Sequence, residues 1–369
     1  MSLVEPSNDS TAGAVRYTSS QVELRMLTRR SLLFASAALA AAPARAQGAL
    51  SVRVGYVPVI GAAALYVLDR AGWARAAGLD IRLAKFDSGP AAIQAISSGS
   101  LDMLAIGIAP IAVARAKGLD VHVVSAAGTG GSAFLAAPAL ADAFGKSGND
   151  PAAALAAFRQ AQGRPAKIGT LPPGGVPTVA LNYWFFKTHK VARADVEIVA
   201  IGIEALQGAI LAGAVDGGTV LEPSATIVRR RDPRLQVIAT ARDMFPDVPG
   251  VVFSATGAFE AAHGDAVETM IGLVLRATDL IQRDPKAAAP YVAEVLGGGL
   301  VPADVMAAAL ASPAVAYVTD PRAIVGPAER LLAYQVEIGD FASAPKTEGL
   351  FETKYFDTAQ AKAGNKPGK

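Results

Sequence analysis

Ala92-Ile93-Gln94-Ala95-Ile96-Ser97-Ser98-Gly99-Ser100-Leu101-Asp102 leads into an apolar run and Pro110; Leu206-Gln207-Gly208-Ala209-Ile210-Leu211-Ala212-Gly213-Ala214-Val215-Asp216 leads into another and Pro223. Each copy reads as helix, glycine turn, aspartate, buried strand, proline, helix, strand. Gly99 and Gly213 fall where helices end at positive φ. Asp102 and Asp216 read as turn or cap residues rather than as acids acting on a ligand. Two copies of one α/β unit predict two lobes built alike, with corresponding strand ends facing one cleft.

The neighbouring sequence extends this pattern in both directions. Val52–Val57, Leu79–Phe86, Leu101–Ile108 and Val121–Ser125 are strand candidates before the crossover, each separated from the next by a helical stretch. Lys167–Thr170, Val196–Ile201, Val215–Leu221 and Leu235–Ala239 repeat the series, and Val251–Ala255 is a strand that could return the chain to the first lobe. Strands ending at Gly- or Pro-rich turns and feeding helices indicate parallel sheets covered on both faces. The expected division is a first lobe of residues 47–137 plus 246–356, which includes C-terminal helices, and a second lobe of 138–245. A flexible tail is expected over 357–369.

Arg25, Arg29 and Arg30 precede the apolar run Leu32–Ala42, which ends at Ala44-Arg45-Ala46. This order of basic, apolar and small residues is that of an export signal. Its apolar part is too short to span a bilayer, which takes roughly 20 residues, so residues 1–46 read as an extension plus a signal cleaved after Ala46. Thr28-Arg29-Arg30-Ser31-Leu32-Leu33 also resembles a twin-arginine motif, and both export routes stay open. Met26 is an alternative start, because the polar residues before it fit no signal architecture. The remaining length of about 320 residues suits two domains better than one.

With 34 basic and 32 acidic residues and no cysteine, the chain has neither a nucleic-acid footprint nor thiolate chemistry. His122, His189 and His263 lie far apart without metal-ligand spacing, which favours surface or capping roles. Gly128-Thr129-Gly130-Gly131-Ser132 and the Gly169–Thr178 loop both lack the phosphate-loop lysine. They can offer backbone N–H groups at helix entries, which bind an anion or a polar ligand without a formal positive charge, but they do not indicate nucleotide use. No cofactor and no metal is expected, and no nucleophile elbow or paired-acid site is present.

Candidate ligand contacts follow from strand-end positions, where parallel sheets place their ligands. They are Pro58, Val59, Ile60 and Gly61; Ser88, Gly89 and Pro90; Gly107, Ile108 and Ala109, with Pro110 closing that turn; Gly174, Gly175, Val176 and Thr178; and Glu222 beside Pro223. Glu222 is the most specific side-chain candidate, since a carboxylate ending an apolar strand must be solvated, paired or bound to a donor. A ligand contact and a salt bridge between lobes both satisfy that requirement. Tyr183 and Trp184 suit core packing better than an aromatic pocket.

Val52-Arg53-Val54-Gly55-Tyr56, Ser98–Asp102, the Gly169–Thr178 loop, Asp216–Pro223 and Gly349-Leu350-Phe351, taken in that order, resemble the periplasmic solute-binding proteins of the nitrate, sulfonate and taurine ABC-transporter group, which also includes thiamine-precursor binders. The resemblance implies a type II periplasmic binding fold, in which two lobes joined by crossovers close on a ligand. It also implies a monomer that carries a small organic solute or oxyanion to a membrane permease. It places contacts at Pro58–Gly61, Ser88–Pro90, Gly107–Ala109 and Gly174–Thr178. Many members carry two hydroxyl residues and a histidine at the last of these. Here Gly175-Val176-Pro177-Thr178 stands instead, which weakens a nitrate or sulfonate assignment and leaves room for a neutral, aromatic or more apolar solute. The leading alternative is an enzyme on the same fold acting on a small pyrimidine or carboxylated substrate; a sensing ectodomain is the third.

Overall fold

A computed structural model describes residues 48–298 and 300–364; the expected signal, the twin-arginine motif and the last five residues lie outside the described residues. Twelve strands occur among the described residues: β1 (Leu50–Tyr56), β2 (Leu79–Lys85), β3 (Met103–Gly107), β4 (Val121–Ala126), β5 (Thr129–Gly130), β6 (Ser132–Ala136), β7 (Ala166–Thr170), β8 (Val196–Ala200), β9 (Gly217–Leu221), β10 (Gln236–Thr240), β11 (Val251–Thr256) and β12 (Val315–Ala316). One sheet has the order β2-β1-β3-β11-β4, and the other, read from its far edge, β8-β7-β9-β6-β10. Both are mainly parallel, and each holds one antiparallel strand at the same place, β11 in the first sheet and β6 in the second. This is the mixed α/β, two-sheet fold that the repeated units predict.

The likeness of the halves extends to the register. Val54 and Gly55 of β1 lie beside Met103 and Leu104, while Ile168 and Gly169 of β7 lie beside Gly217 and Gly218. Superposing these pairs aligns Arg53-Val54-Gly55 with Lys167-Ile168-Gly169 and Asp102 with Asp216. Each aspartate performs the same work. Asp102 Oδ2 accepts from the Arg53 backbone N–H at 2.8 Å while the Arg53 guanidinium grips the carboxylate, with Nη2 2.6 Å from Oδ1. Asp216 Oδ2 accepts from the Lys167 N–H at 2.8 Å, and Arg164 binds both of its oxygens at 2.6 and 2.9 Å. In return, the N–H groups of Asp102 and Asp216 donate to the carbonyls of Arg53 and Lys167. The aspartates therefore do more than cap a turn: they fix the register of β3 on β1 and of β9 on β7. Gly99 and Gly213, at φ +75° and +67°, reverse the chain just before them.

The conserved geometry also explains paired glycines. A Cβ at Gly55 would lie 2.6 Å from the Leu101 side chain, and one at Gly169 would lie 2.4 Å from that of Leu206. In each half, a leucine of the repeated segment occupies the space that the strand glycine leaves open.

Two expectations need correction. β6 already belongs to the second sheet, so the chain crosses before Ser132 rather than at 137/138. Its residues Ser132-Ala133-Phe134-Leu135-Ala136 are all buried, which removes the alternation that marks a half-exposed strand. Residues 357–364 do not fray: Lys354–Gly364 is a helix. It is held by Tyr355, Phe356 and Ala359, all buried, against the long helix Gly257–Arg283. That long helix has a non-helical residue at His263.

Candidate functional site

The carboxyl ends of β1, β2, β3, β7, β8 and β9 and the amino ends of the antiparallel β6 and β11 all open onto one cavity. Val57, Val59 and Gly61 follow β1, Gly89 follows β2, and Gly107 and Pro110 end and follow β3. From the second sheet come Leu171, Gly175, Val176 and Pro177 after β7, Ile203 after β8, and Leu221 at the end of β9. The cavity measures about 60 Å³. At roughly 10–15 Å³ per water, that admits only a handful of waters.

The floor of this cavity is the crossover itself. Gly130 N–H donates to Val248 C=O at 3.1 Å and Gly250 N–H to Gly128 C=O at 3.1 Å, which joins the two connecting segments side by side. β12 pairs with β5 and adds a third segment. Gly130 has φ +75°, and a Cβ there would lie 2.4 Å from the Ala314 carbonyl, so no other residue fits without moving backbone.

The two sides of the cavity touch. Ile60 N–H donates to the Glu222 carbonyl at 2.9 Å, and Lys85 on β2 pairs with Glu204, beside Ile203, at 2.8 Å. A Cβ at Gly107 would lie 3.2 Å from Val176. These contacts define a closed arrangement.

Six of the sequence-derived candidates line this space: Val59, Gly61, Gly89, Gly107, Gly175 and Val176. The other nine do not. Pro58, Ile60, Ile108 and Ala109 are buried beside it. Ser88 Oγ caps the helix Gly89–Ser97 by accepting from Ala91 N–H, and Pro90 is the second residue of that helix. Gly174 makes the turn before the next helix at φ +83°. Thr178 donates its hydroxyl to the Leu171 carbonyl at 2.5 Å, which leaves that proton unavailable to a ligand. Glu222 is buried, and its Oε2 accepts from Thr226 N–H at 3.0 Å. The carboxylate thus sits on the amino end of the helix Ser224–Arg231, a placement favoured by both the unpaired N–H groups and the helix dipole.

Tyr183 packs edge-on against Phe245 and Tyr334, and Trp184 joins Phe134, Phe144 and Phe185, so both belong to the core. His122 Nδ1 lies 2.7 Å from Glu260 and His189 Nδ1 3.1 Å from Asp150, away from the cavity. Sequence reasoning missed Val57, Leu171, Ile203, Leu221, Val251 and Val315, whose apolar side chains look like ordinary core. The Gly128–Ser132 segment gave a usable signal: glycines in series after a strand, ending in a serine.

The lining is almost entirely glycine and apolar side chain. Among the described residues no Lys, Arg, His, Asp or Glu side chain lines the cavity, and Thr129 and Ser132 carry its two hydroxyls. Neither hydroxyl bonds to another group among the described residues, although Ser132 is 3 % exposed.

The sequence profile of the NMT1-like family matches residues 45–297. The chain belongs to the NMT1-like family. Its fold is similar to that of the periplasmic nitrate-binding protein NrtA from Synechocystis PCC 6803, with a TM-score of 0.70 at 14% identity, covering 86% of this chain and 89% of that one. The alkanesulfonate-binding protein SsuA from Xanthomonas axonopodis pv. citri, bound to MOPS, matches with a TM-score of 0.59 at 20% identity over 78% of this chain and 93% of its own. The desulfurization enzyme DSZB matches with a TM-score of 0.57 at 13% identity over 85% and 99%. At these identities the likeness concerns the fold. No curated protein matches the sequence.

Proposed function

We propose that this NMT1-like protein is the solute-binding component of an ABC importer: exported to the periplasm, monomeric, and without catalytic activity of its own. It captures a small solute between two lobes, approximately residues 48–131 with 246–364 and residues 132–245, and presents the closed form to a membrane permease. The observation that carries the reading is the single cavity reached by corresponding strand ends of both sheets and floored by the crossover segments. Such a site couples binding to closure, because a ligand touching both sides favours the closed form over the open one.

DSZB shows that an enzyme can share this architecture. Catalysis would need an acid, base or activated nucleophile at the ligand, and among the described residues no acid or base side chain lines the cavity with the two hydroxyls. The test is mass spectrometry of small molecules released from the mature protein purified from the periplasm, followed by titration calorimetry with each released compound. Saturable binding with the compound recovered intact supports transport; chemical conversion of the bound compound would move the assignment to enzyme.

A further inference from the structure

We infer that the solute is a small uncharged molecule, mainly apolar, carrying one or two hydrogen-bonding groups, and that the site rejects anions. The inference rests on the solute-binding reading above and adds the class of molecule. Besides the turn Ile60–Ala62 that leads into the helix Ala63–Arg70, whose Ile60 and Ala62 N–H groups are taken by the Glu222 and Val59 carbonyls, five helices begin at the cavity or its margin, and helix starts ordinarily favour anions through free N–H groups and the dipole. Here that capacity is reduced at every one.

In the helix Gly89–Ser97, Pro90 removes the second N–H and Ser88 Oγ occupies the third. In Ile108–Ala116, Pro110 removes the third. In Val176–Asn182, Pro177 removes the second, and the Thr178 N–H turns back to the Gly175 carbonyl at 3.1 Å. The helix Ile203–Leu211 carries Glu204 in its first turn. The fifth, Ser224–Arg231, already holds the Glu222 carboxylate on its Thr226 N–H.

Cations do not make up the deficit. Lys85 is paired with Glu204, and among the described residues no positively charged side chain lines the space. An anion entering this cavity would lose its hydration without gaining a counter-charge, with the buried Glu222 carboxylate next to Leu221 on the wall. That balance is unfavourable for an unpaired ion. An uncharged solute loses much less. Its apolar part meets Val57, Val59, Leu171, Val176 and Leu221, while the free hydroxyls of Ser132 and Thr129 can each donate to a carbonyl or hydroxyl oxygen.

The test uses matched probes, each an uncharged compound and its anionic twin: straight-chain and aryl amides against carboxylates, and alcohols against sulfonates, with two to eight carbons, plus nitrate. The mature protein is titrated calorimetrically with each, and compaction is followed by small-angle scattering. At least one uncharged member should bind saturably, its twin at least tenfold more weakly, and Ser132→Ala should weaken the bound member about tenfold while leaving the melting temperature in place. An anionic member that binds more tightly than its twin overturns the inference, as does a complete set without saturable binding. If the tighter anion also compacts the protein, the clamp reading survives and only the solute class falls. Binding of an uncharged member without compaction keeps the class and removes the clamp.

Discussion

The two halves share a framework and differ at the cavity. Counting from the shared aspartates, Met103 corresponds to Gly217, Leu104 to Gly218, Gly107 to Leu221 and Ile108 to Glu222. The aspartate clamps, the helix-ending glycines and the strand order recur because they hold β3 on β1 and β9 on β7, and any departure would misalign a sheet. The residues that end those strands are under no such constraint. Gly107 leaves space where Leu221 fills it, and a carboxylate that caps one helix has an isoleucine as its counterpart. Packing preserved the first set; whatever the cavity holds shaped the second.

The largest effect should come from Gly218→Ala. A Cβ there would lie 2.5 Å from the Gly169 carbonyl oxygen, a backbone atom of the paired strand, so β9 and β7 must separate. Loss of about 3 kcal/mol in urea unfolding is expected, comparable with Leu104→Ala in the other half, where a buried side chain is removed. A Gly218→Ala protein as stable as wild type would break the equivalence of the two strands.

Gly107→Leu copies the second half into the first. The new side chain would press on Val176 across the cavity and prevent the sides from meeting. Solute affinity should fall at least hundredfold, with the melting temperature within a few degrees of wild type, measured by calorimetry on the same sample.

Asp102→Ala and Asp216→Ala should each cost about 2 kcal/mol and add when combined, since the two clamps share no partner. Glu222→Gln should cost about 1 kcal/mol through the weakened helix cap, while affinity for an uncharged solute is retained.

The smallest effect is in acid. Burial alone would raise the Asp102 carboxyl, but the hydrogen bonds and charge of Arg53 outweigh it and hold the group below the usual carboxylate range. A depressed folded value stabilises above the unfolded value, roughly pH 4, and this contribution is lost as pH falls through the folded value. Urea midpoints below pH 4 should therefore decline less steeply in Asp102→Ala than in wild type.

The framework was legible because it repeats: Gly99 with Asp102 and Gly213 with Asp216 marked two units, and their strand order followed. β6 was not legible, since a fully buried five-residue strand of small and apolar residues lacks a period. The cavity was half legible. Glycines at strand ends pointed to Gly61, Gly89, Gly107 and Gly175, but nothing in a lone Leu171 or Ile203 separates a cavity wall from a core. The local partner of Glu222 was not legible either: the Thr226 N–H four residues away holds its Oε2, and the availability of that N–H depends on where the next helix begins.

The central claim is that these strand ends face a gap that opens and closes. The chain has no cysteine, so Gln94→Cys and Ala205→Cys, on exposed helix positions of the two halves, can carry spin labels uniquely. Distances between them should show a short population matching the closed arrangement together with a longer one, and Gly107→Leu should abolish the short population. One unchanged distribution in both proteins would contradict the account.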